Sequence, residues 1–539
     1  MLGALSLRRR LSSRDSASRQ ASLQLHSRLA AVLSDRLSAA FPAAARLVCG
    51  SQHNRGIAPM IEPAPAERFD VCVIGAGPAG STLASRLAQL GHRVCIVERT
   101  MFPRAHVGES LSPGVWSQFD VLGVRRNVEQ AGFWPCQTSL TQWSGDEAIR
   151  RRSTSAGLLV DRGRFDALLL DYARAQGVRV MQPAALRARS RQDHGWRLAV
   201  ECTNWTYAID TDYLVDASGR WSVLGGRKQR AGDRTLAIYG YWRGRFLPCE
   251  PKIESAPEAW YWGVPLPDGT YNVMAFVGLA AYRSQRFASL SAAYDKFIGR
   301  TSLMAGMLDA RLVGPVRATD ASAYLDPDNI GPGWIKIGEA ALALDPLSST
   351  GVQNAITTAL SGSIVVNTLL RRAEQAETAM QFYRTRLRQF SQRHQRWAAE
   401  LYATALPRHR RPFWEARAAS PVAAAEPIPA RFDLDRPPPN ALRVGLASGV
   451  ILEEEPCIIG DFIAPRLALR HPNLERPVAF VGGSEVAHLL RPLYPGITLG
   501  ALMDAWPISA TPKTAIAGWL LSHGVLEPYT STTRVVACS

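Results

Sequence analysis

Lysine is scarce in this 539-residue chain, standing only at 228, 252, 296, 336 and 513, so that 62 minus 5 leaves 57 arginines. GC-rich codons account for such a bias as well as any binding role does. Cysteine is thinly used as well. The eight cysteines at 49, 72, 95, 136, 202, 249, 457 and 538 include no CxxC pair. That pattern supports neither a disulfide framework nor a metal site, and it leads us to expect a reducing, cytoplasmic setting with no bound metal. No apolar run is suited to crossing a membrane, because the helix expected from Gly351 to about Leu370 carries Gln353, Asn354, Thr357, Thr358, Ser361, Ser363, Asn367 and Thr368. The formal charge is +16, yet nine arginines and two acids within residues 1–59 supply +7 of it. The remaining +9 is not accompanied by an aromatic-interleaved basic patch, so no nucleic-acid partner is expected. Residues 1–59 also lack the apolar core of a secretory signal. Their composition suits an organelle transit peptide, but we favour an over-extended start with Met60 as the initiator.

What is present is centred on Phe69 to Arg99. Asp70 to Ile74 is a short apolar run, as expected for a strand buried on both faces of a parallel sheet. Gly75, Gly77 and Gly80 satisfy GxGxxG at a strand-to-helix turn, with Pro78 and Ala79 between them. The first glycine permits the turn, the second lets backbone approach a pyrophosphate, and the third lets helix pack on strand. Amides at the helix start attract phosphate. A helix Ala79 to Leu90 and a strand Arg93 to Val97 follow, and Glu98 at the strand tip is placed to accept from an adenosine ribose, with Arg99 next to it. The unit therefore predicts a dinucleotide site.

Four further segments carry a resemblance to a family. FPRAHVGESLSP, Phe102 to Pro113, holds Gly108, Glu109 and Ser110; it resembles the GES segment of the flavin-dependent tryptophan halogenase-like superfamily. YLVDASGRWS, Tyr213 to Ser222, resembles that group's Ala-Ser-Gly loop. GWIKIGEAALALDPLSSTGVQNAI, Gly333 to Ile356, resembles its second FAD motif, with Gly338-Glu339 where Gly-Asp is usual, followed by Asp345, Ser349, Thr350, Gly351 and Val352. Trp260-Tyr261-Trp262-Gly263-Val264-Pro265, the first arm of a hairpin turning at Pro267-Asp268-Gly269, resembles the WxWxIP pattern. Ordinary aromatic packing on a sheet accounts for it equally well. The resemblance spans roughly Phe69 to Glu400. It implies FAD as cofactor, held by the glycine and acidic positions above, and a chamber near Glu109, Cys136, Trp260 and Trp262; it names no catalytic base.

One departure decides the expected chemistry. Halogenases of this family direct an electrophilic halogen with a lysine ammonium placed after the GES segment, and here Leu111 to Arg150 contains no lysine. Cys136 or Gln137 stands near the expected position, and Ser348 replaces the glutamate that tryptophan halogenases carry before Ser-Thr-Gly. The lysine-free members resemble flavoprotein monooxygenases of tryptophylquinone cofactor biogenesis. The expectation is thus an FAD-dependent monooxygenase that hydroxylates an aromatic ring, with a peptidyl tryptophan as one candidate. Its partners would be dioxygen, an aromatic substrate that includes polypeptides, and NAD(P)H or a flavin reductase, since no second GxGxxG is present. A flavin halogenase and a non-catalytic flavoprotein scaffold are the alternatives.

The fold class expected is α/β: a glutathione-reductase-type FAD-binding fold with an inserted substrate β-sheet and a small, mainly helical, winged-helix-like module at the C-terminus. The divisions are 1–59, an N-terminal extension; 60–222, the first FAD segment; 223–330, the substrate-side sheet; 331–420, the second FAD segment with long helices; 421–440, a linker; and 441–539, the accessory module. Asp166 is read as a first-turn charge on its helix. The basic run Arg384, Arg386, Arg388, Arg393 and Arg396 is read as a solvated face, with docking of an acidic partner as the sharper option.

Overall fold

The computed structural model describes residues 66–203, 205–302, 307, 309–419, 438–508 and 513–529. The N-terminal extension, most of the 421–440 linker and the last ten residues lie outside the described residues.

Strand Glu67–Ile74 is the centre of the first sheet because both its faces are covered. Val71 and Val73 pack with Leu83 and Leu87 of the helix Pro78–Gln89, while Cys72 and Ile74 pack with Leu198, Val200 and Leu214 on the opposite side. Residues of either periodicity would leave one face polar, which explains the unbroken apolar run. Strands Val94–Val97 and Trp205–Asp216 flank it in parallel, with Val71 opposite both Val94 and Tyr213. Trp334–Lys336 extends the sheet beyond Trp205–Asp216, bringing the second FAD segment beside the first.

The second sheet has eight strands in the order Arg311–Asp320, Thr235–Arg243, Tyr271–Gly278, Ala259–Pro265, Lys252–Ala256, Trp134–Gln142, Ile149–Leu159 and Ser110–Leu111. The hairpin expected at Pro267 to Gly269 is there, with Trp260 opposite Phe276 and Trp262 opposite Met274. Three of its strands come from outside residues 223–330. Pairing of Lys252 with Leu140 and of Ser110 with Leu159 draws the GES segment to the edge of the substrate-side sheet. Such pairings join residues far apart in the chain, so no local pattern announces them.

Helices Gly351–Arg371 and Ala376–Ala403 cover the first sheet. No described helix is long and apolar enough to cross a membrane. The polar residues of the first helix have a packing role. The Asn367 amide donates to the Asp461 carbonyl at 2.7 Å, and the Thr368 hydroxyl accepts from the Ile463 amide at 2.9 Å. They seat the hairpin of Ile451–Ile459 and Phe462–Arg470, whose turn also meets Arg86 through Asp461 at 2.5 Å. The C-terminal module keeps the helices Leu499–Asp504 and Lys513–Ser522 around its own core of Val444, Leu489, Leu502, Trp506 and Leu520. Among its described residues it holds more strand than helix, because that hairpin and the three strands Ile497–Thr498, Arg443–Leu446 and Leu526–Pro528 belong to it, so it is not mainly helical as expected.

Candidate active site

The glycine turn shows two kinds of constraint. Gly75 has φ +105°, and a Cβ there would sit 2.5 Å from the Ala217 carbonyl oxygen; a Cβ on Gly80 would sit 1.9 Å from the Gly75 oxygen. Those two are required for packing. At Gly77 the nearest atom to such a Cβ is Arg104 Nη2 at 3.7 Å, so the space in front of it is open. Pro78 starts the helix, and Gly77 caps it without a side-chain bond, leaving first-turn amides available to an anion. Arg104 adds charge there, and its Nε is buried without a partner. Sequence reading passed over Arg104, although it lies in the FPRAHVGES segment.

Glu98 is 5% exposed and accepts from the Ala76 amide at 2.8 Å and the Thr100 amide at 2.9 Å. The same carboxylate expected to meet a ribose thus also holds the glycine turn, while Arg99 is exposed. Asp216 supports the turn from below: its carboxylate accepts from Ser218, Ser222 and the Leu224 amide, which fixes Ala217 beneath Gly75.

The second FAD segment meets the first at Gly338, where φ is +58° and a Cβ would lie 2.9 Å from Ala79 Cβ. Glu339 pairs with Arg220 of the Ala-Ser-Gly loop at 3.2 Å. Asp345 is committed to its own turn: it accepts from the Leu347 amide at 3.0 Å and from the Tyr402 hydroxyl at 3.1 Å. Burial pushes its carboxyl up. Ser349 takes the left-handed conformation at φ +51°, which turns Thr350 and Gly351 into the start of the long helix. Thr350 makes no side-chain cap and nothing lies within 4 Å of a Cβ on Gly351, so a second set of helix-start amides faces open space. Val352, by contrast, packs inward with Leu111 and Leu158.

Between these two cradles sits the GES segment. Arg162 pairs with Asp166 at 2.9 Å and donates to the Val107 carbonyl at 2.7 Å. Asp166 is therefore the buried partner of an ion pair that clamps this loop, rather than a first-turn charge facing solvent. Gly108 has φ +100°, with Arg162 Nη1 2.9 Å from where its Cβ would be. Ser110 begins the edge strand, and Ser112 donates to Gln353 of the long helix. Glu109 is 3% exposed; its Oε1 accepts from the Tyr241 hydroxyl at 2.8 Å and the Asn272 amide at 3.0 Å, and its Oε2 from the Gly108 amide at 2.9 Å. Burial raises the Glu109 carboxyl above the ordinary glutamate range despite these donors, and burial next to Glu109 raises the Tyr241 phenol.

A raised acid is protonated more readily in the folded chain. Its stabilising contribution is complete below the ordinary glutamate range and is lost as pH rises through the folded value. Glu109→Gln should remove that loss, so the melting temperature of the wild type, measured against the variant, should fall on going from acid to neutral pH. A constant difference across the range would show that Glu109 does not titrate in this way.

The tryptophans divide. Trp260 is 1% exposed, stacked on Phe276 with centroids 3.8 Å apart and enclosed by Trp143, Tyr402 and Trp414. It is packed as core. Trp262 is half-buried in a cluster with Tyr241, Cys136, Leu159 and Val264. The open part of this sheet face is thus at Trp262 and Tyr241. Cys136 gives its thiol to the Thr138 carbonyl, and burial pushes that thiol up, so it is not an activated nucleophile.

The residues present fit FAD: two uncapped helix starts, an orphaned guanidinium nitrogen beside one of them, and an acidic strand tip. Residues 68–235 match the FAD binding domain family. The chain is 29% identical over 333 residues to a tryptophan 2-halogenase of Chondromyces crocatus, covering 58% of this chain and 64% of that protein, so it spans less than two thirds of that relative. It is 27% identical over 345 residues to a 1H-pyrrole-2-carbonyl-[peptidyl-carrier protein] chlorinase of Pseudomonas fluorescens, covering 55% of this chain and 76% of that one. Among solved structures, the peptidyl tryptophan dihydroxylase QhpG, essential for tryptophylquinone cofactor biogenesis, superposes with a TM-score of 0.67 at 28% identity over 85% of this chain and 100% of that chain. The flavin-dependent halogenase CmlS superposes with a TM-score of 0.71 at 20% identity over 87% of this chain and 97% of that one, which speaks to the fold.

Proposed function

We propose that this chain, a halogenase-like flavoprotein with FAD as its cofactor, is a monooxygenase that hydroxylates an aromatic ring, and that a tryptophan within a polypeptide is its substrate. The observation that carries the choice between hydroxylation and halogenation is the placing of lysine. Lys252 lies on the substrate-side sheet, but alternation along Lys252–Ala256 puts it on the face opposite Ile253 and Trp262. Lys336 is buried against Asp326 at 2.7 Å in the FAD-side sheet, and Lys228 lies over Tyr324. None of these three lysines belongs to the face of Trp262, and a cysteine or tyrosine cannot hold an electrophilic halogen as an ammonium does.

Bound and reduced, FAD supplies the two electrons with which dioxygen gives one atom to an electron-rich ring and the other to water. The chain's residues bind and orient. Amides after Gly77, with Arg104, would hold the pyrophosphate, Glu98 the ribose, and the amides of Gly351 and Val352 the electron-rich edge of the ring system. Trp262 and Tyr241 would flank the substrate, and the enclosed aromatic group around Trp260 excludes water from behind. Tyr241 Oη holds a proton against Glu109 Oε1 at the wall of this space. The electrons come from NAD(P)H or from a flavin reductase.

The QhpG likeness, at full coverage of that chain, supports a polypeptide substrate, while the halogenase relatives keep halogenation as the competing chemistry. The test is to supply the reduced FAD-loaded protein with oxygen and a tryptophan-bearing peptide, with and without chloride or bromide. The expected product gains the mass of oxygen at a rate indifferent to halide. A halogenated peptide that appears only with halide would establish the halogenase. Oxygen reduced entirely to peroxide or water, with the peptide and other aromatic compounds unchanged, would favour a binding flavoprotein.

A further inference from the structure

A cavity of about 740 Å³ lies between residues 229–232, strand Tyr324–Leu325 and one face of the helix Ala376–Ala403, and none of its lining residues belongs to the flavin cradles. Its volume falls within the roughly 300–1,000 Å³ of small-molecule sites. Arg230, Arg384 and Arg388 line it, and among the described residues no aspartate or glutamate does. Arg230 and Arg388 make no ion pair with a described residue, and Arg384 has only Glu377, at 3.4 Å with 76% of that side chain exposed.

Two of its lining residues are polar and buried. Asn329 is 2% exposed, and its amide NH₂ donates to the Asp326 carbonyl at 2.9 Å. That bond sets the orientation of the amide, because a flipped group would oppose two oxygens. The Asn329 Oδ1 is left buried with no partner, which is costly unless a donor reaches it. Ser391, another lining residue and 4% exposed, accepts from the Gln395 amide at 2.9 Å and donates its own O–H to no described residue.

We propose that this cavity binds a phosphorylated sugar, with the phosphate on the arginines and the sugar hydroxyls on Asn329 and Ser391. Three guanidinium groups without a carboxylate among the described lining residues call for more than one negative charge, and phosphate matches their geometry. An orphan acceptor and a free donor in one lining call for a hydroxyl, which is both. A sugar phosphate offers the two together; nicotinamide and flavin nucleotides both contain it. The site is distinct from the FAD cradles, and nothing in its argument rests on the monooxygenase reading. It gives the basic helix a ligand of its own, whichever chemistry the flavin performs.

The experiment is calorimetric titration of the full-length, FAD-loaded protein with ribose 5-phosphate, inorganic pyrophosphate, ADP-ribose, NADPH and FMN. Ribose 5-phosphate and ADP-ribose should bind saturably, more weakly as salt is raised, and Arg388→Glu should weaken them at least tenfold without altering the FAD spectrum. Arg230→Glu, on a different element, should do the same. NADPH tighter than FMN would make the occupant a nicotinamide nucleotide, and the reverse a flavin nucleotide; either supports the site. Absence of saturable binding by every compound, or binding indifferent to both charge reversals, would overturn it. Pyrophosphate bound as tightly as ribose 5-phosphate would overturn the role given to Asn329 and Ser391.

Discussion

Gly80→Ala should yield protein without FAD, and Gly77→Ala should yield folded protein with weakened FAD binding. The two differ because of what surrounds them. A Cβ on Gly80 meets the Gly75 carbonyl oxygen at 1.9 Å, and that oxygen is backbone, so the helix Pro78–Gln89 must move off the strand it packs against. Overpacking a filled site costs about 1–3 kcal/mol even where side chains can yield; here the displaced helix also carries the amides meant for phosphate. At Gly77 the added methyl meets nothing nearer than 3.7 Å, so the fold tolerates it while the methyl occupies ligand space. Flavin absorbance after gel filtration, with the thermal transition of each variant, is the measurement. Gly80→Ala that retains stoichiometric FAD would refute the assignment of this turn.

Asp326→Ala should destabilise the chain by about 3–5 kcal/mol, the usual result of removing one partner from a buried ion pair. Lys336 is 1% exposed and donates to Asp326 at 2.7 Å and to the Gly225 carbonyl at 2.5 Å. With the carboxylate gone, its ammonium has only a carbonyl in a dry surrounding. The double variant Asp326→Leu/Lys336→Met should recover most of the loss, because it removes both charges and fills the volume. Urea unfolding of the wild type and the two variants measures this. If the single and double variants are equally unstable, the bonds of Asp326 to the Asp328 amide, and not the charge pair, are what count. Gly226 belongs to the same arrangement: its φ is +130° and a Cβ would lie 2.0 Å from Asp326 Oδ2, so glycine there lets the carboxylate reach the lysine.

The parts of the site legible in the sequence are those whose chemistry is local. Gly75 to Gly80 and Glu98 lie within one βαβ unit, and Ser349 to Val352 within one turn, so spacing along the chain reports spacing in space. Glu109 was visible as part of a motif, but its surroundings were not: Tyr241 is 132 residues away and Asn272 163. Trp260 and Trp262 look alike in the sequence, two residues apart on one strand face. Only the packing of Trp143, Tyr402 and Trp414 against that face shows which is enclosed. Asp345 was expected at the flavin, and its bond from Tyr402, which comes from a separate helix, was not visible in the sequence. Arg104 was missed because an isolated arginine has no periodicity; its orphaned nitrogen beside Gly77 is a fact of three dimensions.

By itself the sequence determined the dinucleotide-binding unit, the order of the FAD segments and the absence of lysine from Leu111 to Arg150, because glycine conformation, strand periodicity and residue chemistry act over a few neighbouring residues. Only the tertiary structure decided that the GES segment closes the edge of the substrate-side sheet, that Asp166 is a buried clamp, that the C-terminal module seats its hairpin on the FAD domain, and that three arginines and a buried asparagine share one cavity. Strand pairing, burial and charge neutralisation join residues a hundred or more positions apart, and their free energies depend on separation in space, to which separation along the chain is no guide.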